Sequence, residues 1–165
     1  MATIFGIISA LILAVYTLVM IRKSGKIPYS LSSTYYRLEQ KEWFVGCISV
    51  TGFTYMLSAL GKTPDSCQFL VFLTFAGMML LALSPNFRDK NEAVLHYSGT
   101  AVVLLCTQAW VACTMPWLLL LWLLPAAYIL YHVAKYGPDA FIDSKPVFWL
   151  EVTAYMTVYI NLFLL

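Results

Sequence analysis

Long apolar runs separated by short polar connections make up most of this chain. A helix needs about 20 mainly apolar residues to cross the hydrocarbon core of a bilayer. Six runs approach or reach that length: Ala2–Ile21, Trp43–Gly61, Cys67–Ser84, Ala93–Cys113, Trp117–Ala134 and Val147–Leu165. The runs are continuous and do not alternate with a period of two, which favours helices over a β-barrel. The pattern therefore predicts an all-α integral membrane bundle of six transmembrane helices, in a single domain over residues 1–165.

Prolines mark the predicted ends of the helices, because proline lacks an amide N–H and disfavours helix at the residue before it. Each of the five connections contains at least one proline, namely Pro28, Pro64, Pro85, Pro116, and Pro138 with Pro146. Pro125 is the exception, since it lies inside the fifth apolar run. We expect a kink in the fifth helix at that residue.

The composition excludes several classes of protein. The chain of 165 residues is 61% hydrophobic and only 11% charged, whereas soluble domains are roughly half apolar and about a quarter charged. A chain of this length cannot bury such an excess, so a soluble globular protein is excluded. The net charge of +2 comes from few, scattered charges, which also excludes a nucleic-acid-binding protein.

The basic residues predict an orientation, because Lys and Arg concentrate in cytoplasmic loops. The first, third and fifth connections, with the helix ends beside them, carry nine of the ten Lys and Arg residues, and only Lys62 lies in the second. These three connections are predicted to face the cytoplasm, with both termini outward. No Lys or Arg precedes the first apolar run, so we interpret that run as a retained anchor rather than a cleaved signal peptide.

The first connection carries its own pattern. Leu31, Tyr35 and Leu38 would share one face of a helix, and Ser30 is the predicted N-cap. This predicts an amphipathic helix on the cytoplasmic surface, running into the second transmembrane helix. The hydroxyl residues Ser32, Ser33 and Thr34 are interpreted as solvated residues at the helix start; the alternative is that they face a substrate.

Small residues define one face of the first helix. Ala2, Gly6, Ala10 and Ala14 recur every four residues, and such faces let two helix backbones approach closely in lipid. The partner is either another helix of the same chain, which we favour because five are available, or a second copy in a homo-oligomer. Membrane lipids are the other expected partners.

The four cysteines lie in or beside apolar runs, and no CxxC pair occurs. Thiolate metal binding is therefore not expected, since buried cysteine usually behaves as a small hydrophobic residue. Cys67 and Cys113 would both lie at outer helix ends, where a disulfide is an open alternative in an oxidising space.

Few ionisable side chains fall within the apolar runs, and intramembrane ionisable residues mark functional sites by default. Glu151 lies one turn inside the sixth run, with Tyr155 four residues later on the same face. His96 opens the fourth run and has Thr100 at the same spacing. We predict a polar pocket of His96, Thr100, Glu151 and Tyr155, in which Glu151 pairs with His96. For Glu151, the competing interpretations are an ion pair with a loop Lys or Arg and a side chain that extends to the membrane surface. For His96, the competing interpretation is a structural hydrogen bond.

Imidazole and carboxylate groups could also hold a metal ion. His96, Glu151 and His132 are the candidate ligands for zinc, and Asp89 is an alternative third ligand. Nothing in the spacing requires this arrangement. For His132, which is followed by Lys135 and Tyr136, we favour the role of an interfacial anchor.

One segment resembles a known family. Residues 84–90, read as SPNFRDK, followed by Glu92 and His96 at the start of a helix, resemble a stretch in small multi-span proteins that are distantly similar to the alkaline ceramidase and progestin/adiponectin receptor superfamily. That resemblance implies a helical bundle with a zinc-centred hydrolase site near the cytosolic face, in which His96 would match the early histidine. The chain departs from the family because it has six predicted transmembrane helices instead of seven. It also lacks the late HxxxH pair, having Glu151 and Tyr155 at that spacing.

The whole chain also resembles small membrane proteins of Bacteroidetes and their phages, which implies a bacterial inner membrane.

Three functions follow as hypotheses. The first is a non-enzymatic membrane protein whose cytoplasm-facing polar pocket binds or senses a lipid or small molecule. The second is a membrane-embedded, zinc-dependent lipid hydrolase, as the resemblance implies. The third is a small channel or transporter, although the two halves show no repeat and only one run is broken by proline, whereas transporters often show paired broken helices.

Overall fold

Helices account for all regular structure in the computed structural model, which describes residues 1–165 and contains no β-strand. The α-helices are α1 (Ala2–Ser24), α2 (Glu42–Leu60), α3 (Gln68–Leu83), α4 (Lys90–Thr114), α5 (Leu123–Tyr136), α6 (Ala140–Asp143) and α7 (Pro146–Leu164). Three 3₁₀ segments cover Ser32–Arg37, Asp65–Cys67 and Pro116–Trp122. Six helical stretches, two of them extended by a 3₁₀ segment, are long and apolar enough to cross a membrane. The predicted all-α fold with six such helices is confirmed.

The bundle is built around a row of neighbouring helices. α2 packs between α1 and α3, and α4 packs against the other side of α3. α7 closes the row against α4 and also contacts α1 and α5. α3 and α4 make the most extensive contact because Gly77 and Gly99 face each other, so that a Cβ added to Gly99 would lie 2.9 Å from the Gly77 carbonyl oxygen. Two glycines at a crossing allow this backbone-to-backbone approach.

The connections gather at two ends of the bundle. At one end the Tyr36 hydroxyl accepts a hydrogen bond from the Arg88 amide at 2.9 Å, which ties the first connection to the third. The Leu31 amide in the first connection donates a hydrogen bond to the Glu151 carboxylate near the start of α7. The fifth connection leads into α7, so it lies at this end as well. At the other end the Lys62 ammonium donates to the Leu162 carbonyl oxygen at 2.7 Å. The nine basic residues of the first, third and fifth connections therefore share one end.

The first connection differs from its prediction. It forms no amphipathic α-helix, but a six-residue 3₁₀ segment that folds inward, with Leu31 and Tyr35 buried. Thr34 is fully buried and accepts a hydrogen bond from the Tyr16 hydroxyl at 2.6 Å, so it is not solvated as we expected. Ser30 does cap the turn, because its hydroxyl accepts from the Ser33 amide at 3.0 Å. Hydrogen bonds to the hydroxyls of Ser30 and Thr34, which hydropathy does not record, accompany this inward fold.

The fifth apolar stretch also differs from its prediction. It begins as the 3₁₀ segment Pro116–Trp122 and becomes α-helical at Leu123. Pro125 therefore stands in the first turn of α5, where a missing amide N–H breaks no hydrogen bond within the α-helix. The predicted interruption takes the form of a change of helix type before Pro125, rather than a kink inside an α-helix. This stretch is the least buried of the six.

The small-residue face of α1 is used within the chain. Gly6 is buried, and a Cβ added to it would lie 2.7 Å from the Ser58 hydroxyl of α2 and 3.1 Å from Leu162 of α7. Ala10 is half-buried and Ala14 is exposed. The close contact that the spacing predicts is thus made by Gly6 with two helices of the same chain.

All four cysteines are free thiols. Cys67 at the start of α3 and Cys113 near the end of α4 nevertheless lie next to each other, as their positions at the same end of adjacent helices predict.

Candidate functional site

A cavity of about 200 Å³ lies between α2, α3, α4 and α7, with the first connection at one end. Its wall is formed by 17 residues, of which 11 are hydrophobic. The other six are Ser32, Thr51, Thr74, Thr100, Thr107 and Glu151. Ligand sites typically combine apolar walls with a few polar groups. This cavity is the candidate functional site.

One face of α7 forms a long side of the cavity. Glu151, Tyr155 and Tyr159 follow each other at four-residue intervals and all line it, because residues four apart lie on the same side of an α-helix. At a rise of about 1.5 Å per residue, this face extends about 12 Å from Glu151 to Tyr159. The cavity therefore runs from the end that carries the basic connections to the middle of the bundle.

Glu151 is the only acidic side chain on the cavity wall, and no Lys, Arg or His joins it there. It is half-buried, and its Oε2 atom accepts a hydrogen bond from the Leu31 amide at 2.5 Å. No ion pair includes Glu151; the two ion pairs of the protein join Lys23 to Glu39 and Lys145 to Asp143. The competing interpretation of Glu151 as one half of a salt bridge is therefore wrong. One main-chain amide binds the carboxyl group, and no basic side chain of the protein pairs with it.

Two hydroxyl groups of α2 on the same wall have no hydrogen-bond partner. Thr51 and Tyr55 are 1% and 3% exposed, and their hydroxyl oxygens are buried and unpaired. Leaving a buried polar group unsatisfied typically costs about 1–3 kcal/mol, so such groups are unusual in a native interior. Their position beside an apolar cavity indicates a place where a ligand with polar atoms can bind.

Three threonines contribute a different kind of polar group. The hydroxyls of Thr74, Thr100 and Thr107 each donate to a carbonyl oxygen of their own helix, at 2.7–2.9 Å. A hydroxyl that donates in this way keeps lone pairs with which it can accept. These three hydroxyls and the free carboxylate oxygen of Glu151 therefore make the cavity wall rich in hydrogen-bond acceptors.

Tyr159 closes the far side of the cavity. The Ser9 hydroxyl donates to the Thr51 carbonyl oxygen at 2.9 Å, so it must accept its 2.7 Å bond from the Tyr159 hydroxyl. This chain of bonds fixes Tyr159 against α1 and α2. The far end of the cavity is therefore a satisfied polar network, unlike the region around Thr51 and Tyr55.

His96 does not join Glu151. Its Nδ1 atom donates to the Ser84 carbonyl oxygen at 2.9 Å, and its ring lies 4.7 Å from that of Phe87. Neither a hydrogen bond nor an ion pair links His96 to Glu151, and His96 does not line the cavity. Of the four residues predicted for the pocket, the structure brings Thr100, Glu151 and Tyr155 together, and His96 supports the turn between α3 and α4.

The proposed zinc ligands are dispersed, and no group of three His, Cys, Asp or Glu side chains is placed to hold a metal ion. His132 packs against the rings of Tyr128 and Tyr136 on α5. Asp89 caps α4, where its Oδ1 atom accepts from the Asn91 amide at 2.9 Å. The donor set does not fit a zinc centre of the kind that the family resemblance implies.

Thr51, Tyr55 and Thr74 also line the cavity and were not predicted as pocket residues from the sequence. Thr51 and Tyr55 have the same four-residue spacing as Glu151 and Tyr155, so the second apolar run carries a polar stripe that could have identified them. Ser32, for which a substrate-facing position is the alternative interpretation, lines the cavity. Thr74 is an isolated threonine in α3 and offers no such signal.

Comparisons of the chain with family models, with curated proteins and with solved structures give no match. The geometry of the cavity is therefore the basis for a functional assignment.

Proposed function

We propose that this chain is a small integral membrane protein of six transmembrane helices, whose cavity binds a small molecule or one end of a lipid. Insertion in a membrane is supported by the six long apolar helices. It is also supported by the exposed hydrophobic surface, which includes Ile4, Leu18, Leu105, Leu124 and Leu130, each at least 60% exposed. A soluble monomer rarely exposes large contiguous apolar patches.

The distribution of basic residues supports a cytoplasmic position for the end at which the first, third and fifth connections meet. The cavity then lies on the cytoplasmic side and both termini face outward, in the inner membrane of a bacterium. A cysteine placed at Lys26 should react with a membrane-impermeant maleimide only after cells are broken. Labelling of that cysteine in intact cells would show that the first connection faces outward and would contradict the proposed orientation.

The observation that carries the binding function is the pair of unpartnered hydroxyls, Thr51 and Tyr55, beside an apolar cavity. An apolar cavity of about 150 Å³ is enough to bind benzene in another protein. A cavity of about 200 Å³ therefore admits a molecule slightly larger than benzene, with polar atoms that satisfy these hydroxyls. No arrangement of catalytic groups accompanies them, so we favour binding or sensing over hydrolysis.

The neutral probe 2-phenylethanol, which has an aromatic body and one hydroxyl, tests this function. Binding is measured by calorimetric titration of the protein in detergent micelles. We expect saturable binding to the unmodified protein and none to Ala154→Phe, because Ala154 lines the cavity and a larger side chain fills it. Thr100→Phe fills the same cavity from α4 and serves if Ala154→Phe does not fold.

Ala127→Phe is the matched control, since Ala127 is exposed on α5 and does not line the cavity. It should bind the probe as the unmodified protein does. Partitioning of the probe into the micelle is the same for every variant and therefore cancels in the comparison. Equal heats of binding for the unmodified protein and both cavity-filling variants would contradict the proposed function.

A further inference from the structure

We infer that the ligand of this cavity is an amphiphilic organic cation, whose ammonium group binds the Glu151 carboxylate while its apolar body fills the space between α2, α4 and α7. This inference rests on the proposed binding function and specifies the chemical class of the ligand. The observation behind it is a carboxyl group without a basic partner: Glu151 is the only acid on the wall, and no Lys, Arg or His lines it.

The carboxylate is only partly satisfied by the protein. The Leu31 amide donates to Oε2, and no side chain donates to Oε1. A carboxylate facing apolar walls is costly unless a donor or a positive charge compensates it. An ammonium group supplies both at once, because it carries a positive charge and up to three N–H donors.

The remaining polar groups also suit a donor-rich ligand. The threonine hydroxyls of α3 and α4 already donate to their own helices, so they offer acceptors to a ligand. A ligand rich in acceptors, such as a carboxylate or phosphate, would meet Glu151 as a like charge and would find no basic side chain. The wall therefore discriminates against anions.

The shape and lining support an aromatic or short alkyl body. The cavity volume of about 200 Å³ exceeds the roughly 150 Å³ that accommodates benzene. Tyr55, Tyr155 and Tyr159 all line it, and aromatic rings attract cations through their electron-rich faces. An arylalkylamine with about ten heavy atoms matches both the volume and the single acid at one end.

Three probes of nearly equal size test the inference: 2-phenylethylamine, 2-phenylethanol and phenylacetate, which are cationic, neutral and anionic near neutral pH. Their affinities are measured by calorimetric titration in micelles, with Ala154→Phe as the reference for partitioning. We expect the amine to bind the unmodified protein at least about tenfold more tightly than the alcohol, as a charge-assisted hydrogen bond predicts. Phenylacetate should bind more weakly than the alcohol.

Glu151→Gln isolates the charge, because glutamine keeps an oxygen acceptor for the Leu31 amide. We expect this variant to lose the tenfold preference for the amine over 2-phenylethanol. Asp139→Asn is the control, since Asp139 is an exposed carboxylate outside the cavity, in the fifth connection. It should keep the preference, which excludes general attraction of the amine to an acidic surface.

The outcomes separate the two proposals. Binding of the alcohol without a preference for the amine would overturn the inference and leave the proposed binding function in place. The same holds if the preference persists in Glu151→Gln. If neither the alcohol nor the amine binds the unmodified protein, the proposed function fails, and the inference fails with it. The comparison of the three probes on the unmodified protein decides the question even if Glu151→Gln does not fold.

Discussion

The contact between α3 and α4 allows a quantitative prediction at Gly99. A Cβ at this position would lie 2.9 Å from the Gly77 carbonyl oxygen and 3.0 Å from the Leu80 Cβ. Ordinary van der Waals contacts of a Cβ begin at 3.4 Å, so the Gly99→Ala substitution requires a local separation of about half an ångström. The nearest atom belongs to the backbone, and it cannot move aside as the end of a flexible side chain could.

Such a separation weakens packing along the whole crossing. A gap of about 0.5–1 Å forfeits a quarter to a half of the dispersion energy of the atoms concerned, and overpacking a close-packed site typically costs about 1–3 kcal/mol. We therefore expect Gly99→Ala to lower the free energy of unfolding by about 1–3 kcal/mol. For a chain of this size, each kcal/mol lowers Tm by about 2–4 °C.

Thermal unfolding of the detergent-purified protein, followed by tryptophan fluorescence, measures this change. Gly46→Ala is the matched control, because Gly46 lies inside α2 and a Cβ added there has no atom within 4 Å. Alanine is favoured over glycine in a helix by about 0.5–1 kcal/mol, so Gly46→Ala should keep or slightly raise the Tm. Equal Tm values for the two variants would refute the close approach of α3 and α4 at Gly99.

Three further predictions concern buried polar contacts and thiols. Thr63→Val should destabilise the protein by about 1–3 kcal/mol, because the fully buried indole N–H of Trp110 donates to the Thr63 hydroxyl at 2.9 Å and would lose its acceptor. Thr63→Ser keeps the hydroxyl and should keep the Tm of the unmodified protein. Asn161→Leu should cost about 0.6–2 kcal/mol, since Asn161 is fully buried and its amide hydrogen-bonds from α7 to α4 at 2.8 Å; an unchanged Tm would contradict this contact. Oxidation with copper phenanthroline should join Cys67 to Cys113 within one chain, because the two thiols are neighbours. Maleimide labelling should then be lost at both positions and recovered on reduction. Undiminished labelling would show that the thiols are not neighbours.

Hydropathy along the sequence was sufficient to predict the number and approximate bounds of the long helices. An apolar run of the right length forms a helix because its backbone groups then bond internally, whatever the neighbours are. The helical period was also sufficient to predict that Glu151 and Tyr155 share a face, and the structure places both on the cavity wall. These properties depend on residues close in sequence, so the sequence alone is enough to predict them.

The partners of these residues depended on the tertiary structure. Glu151 bonds to the main-chain amide of Leu31, 120 residues away, and a backbone amide carries no sequence signal that could identify it. His96 bonds to the Ser84 carbonyl oxygen, only twelve residues before it. The path of the turn between α3 and α4 therefore decided that the imidazole lies outside the cavity. Thr34 became buried because the Tyr16 hydroxyl reaches it. Local patterns determine which residues share a helix face, but only the packing of distant segments decides which atom each polar group meets.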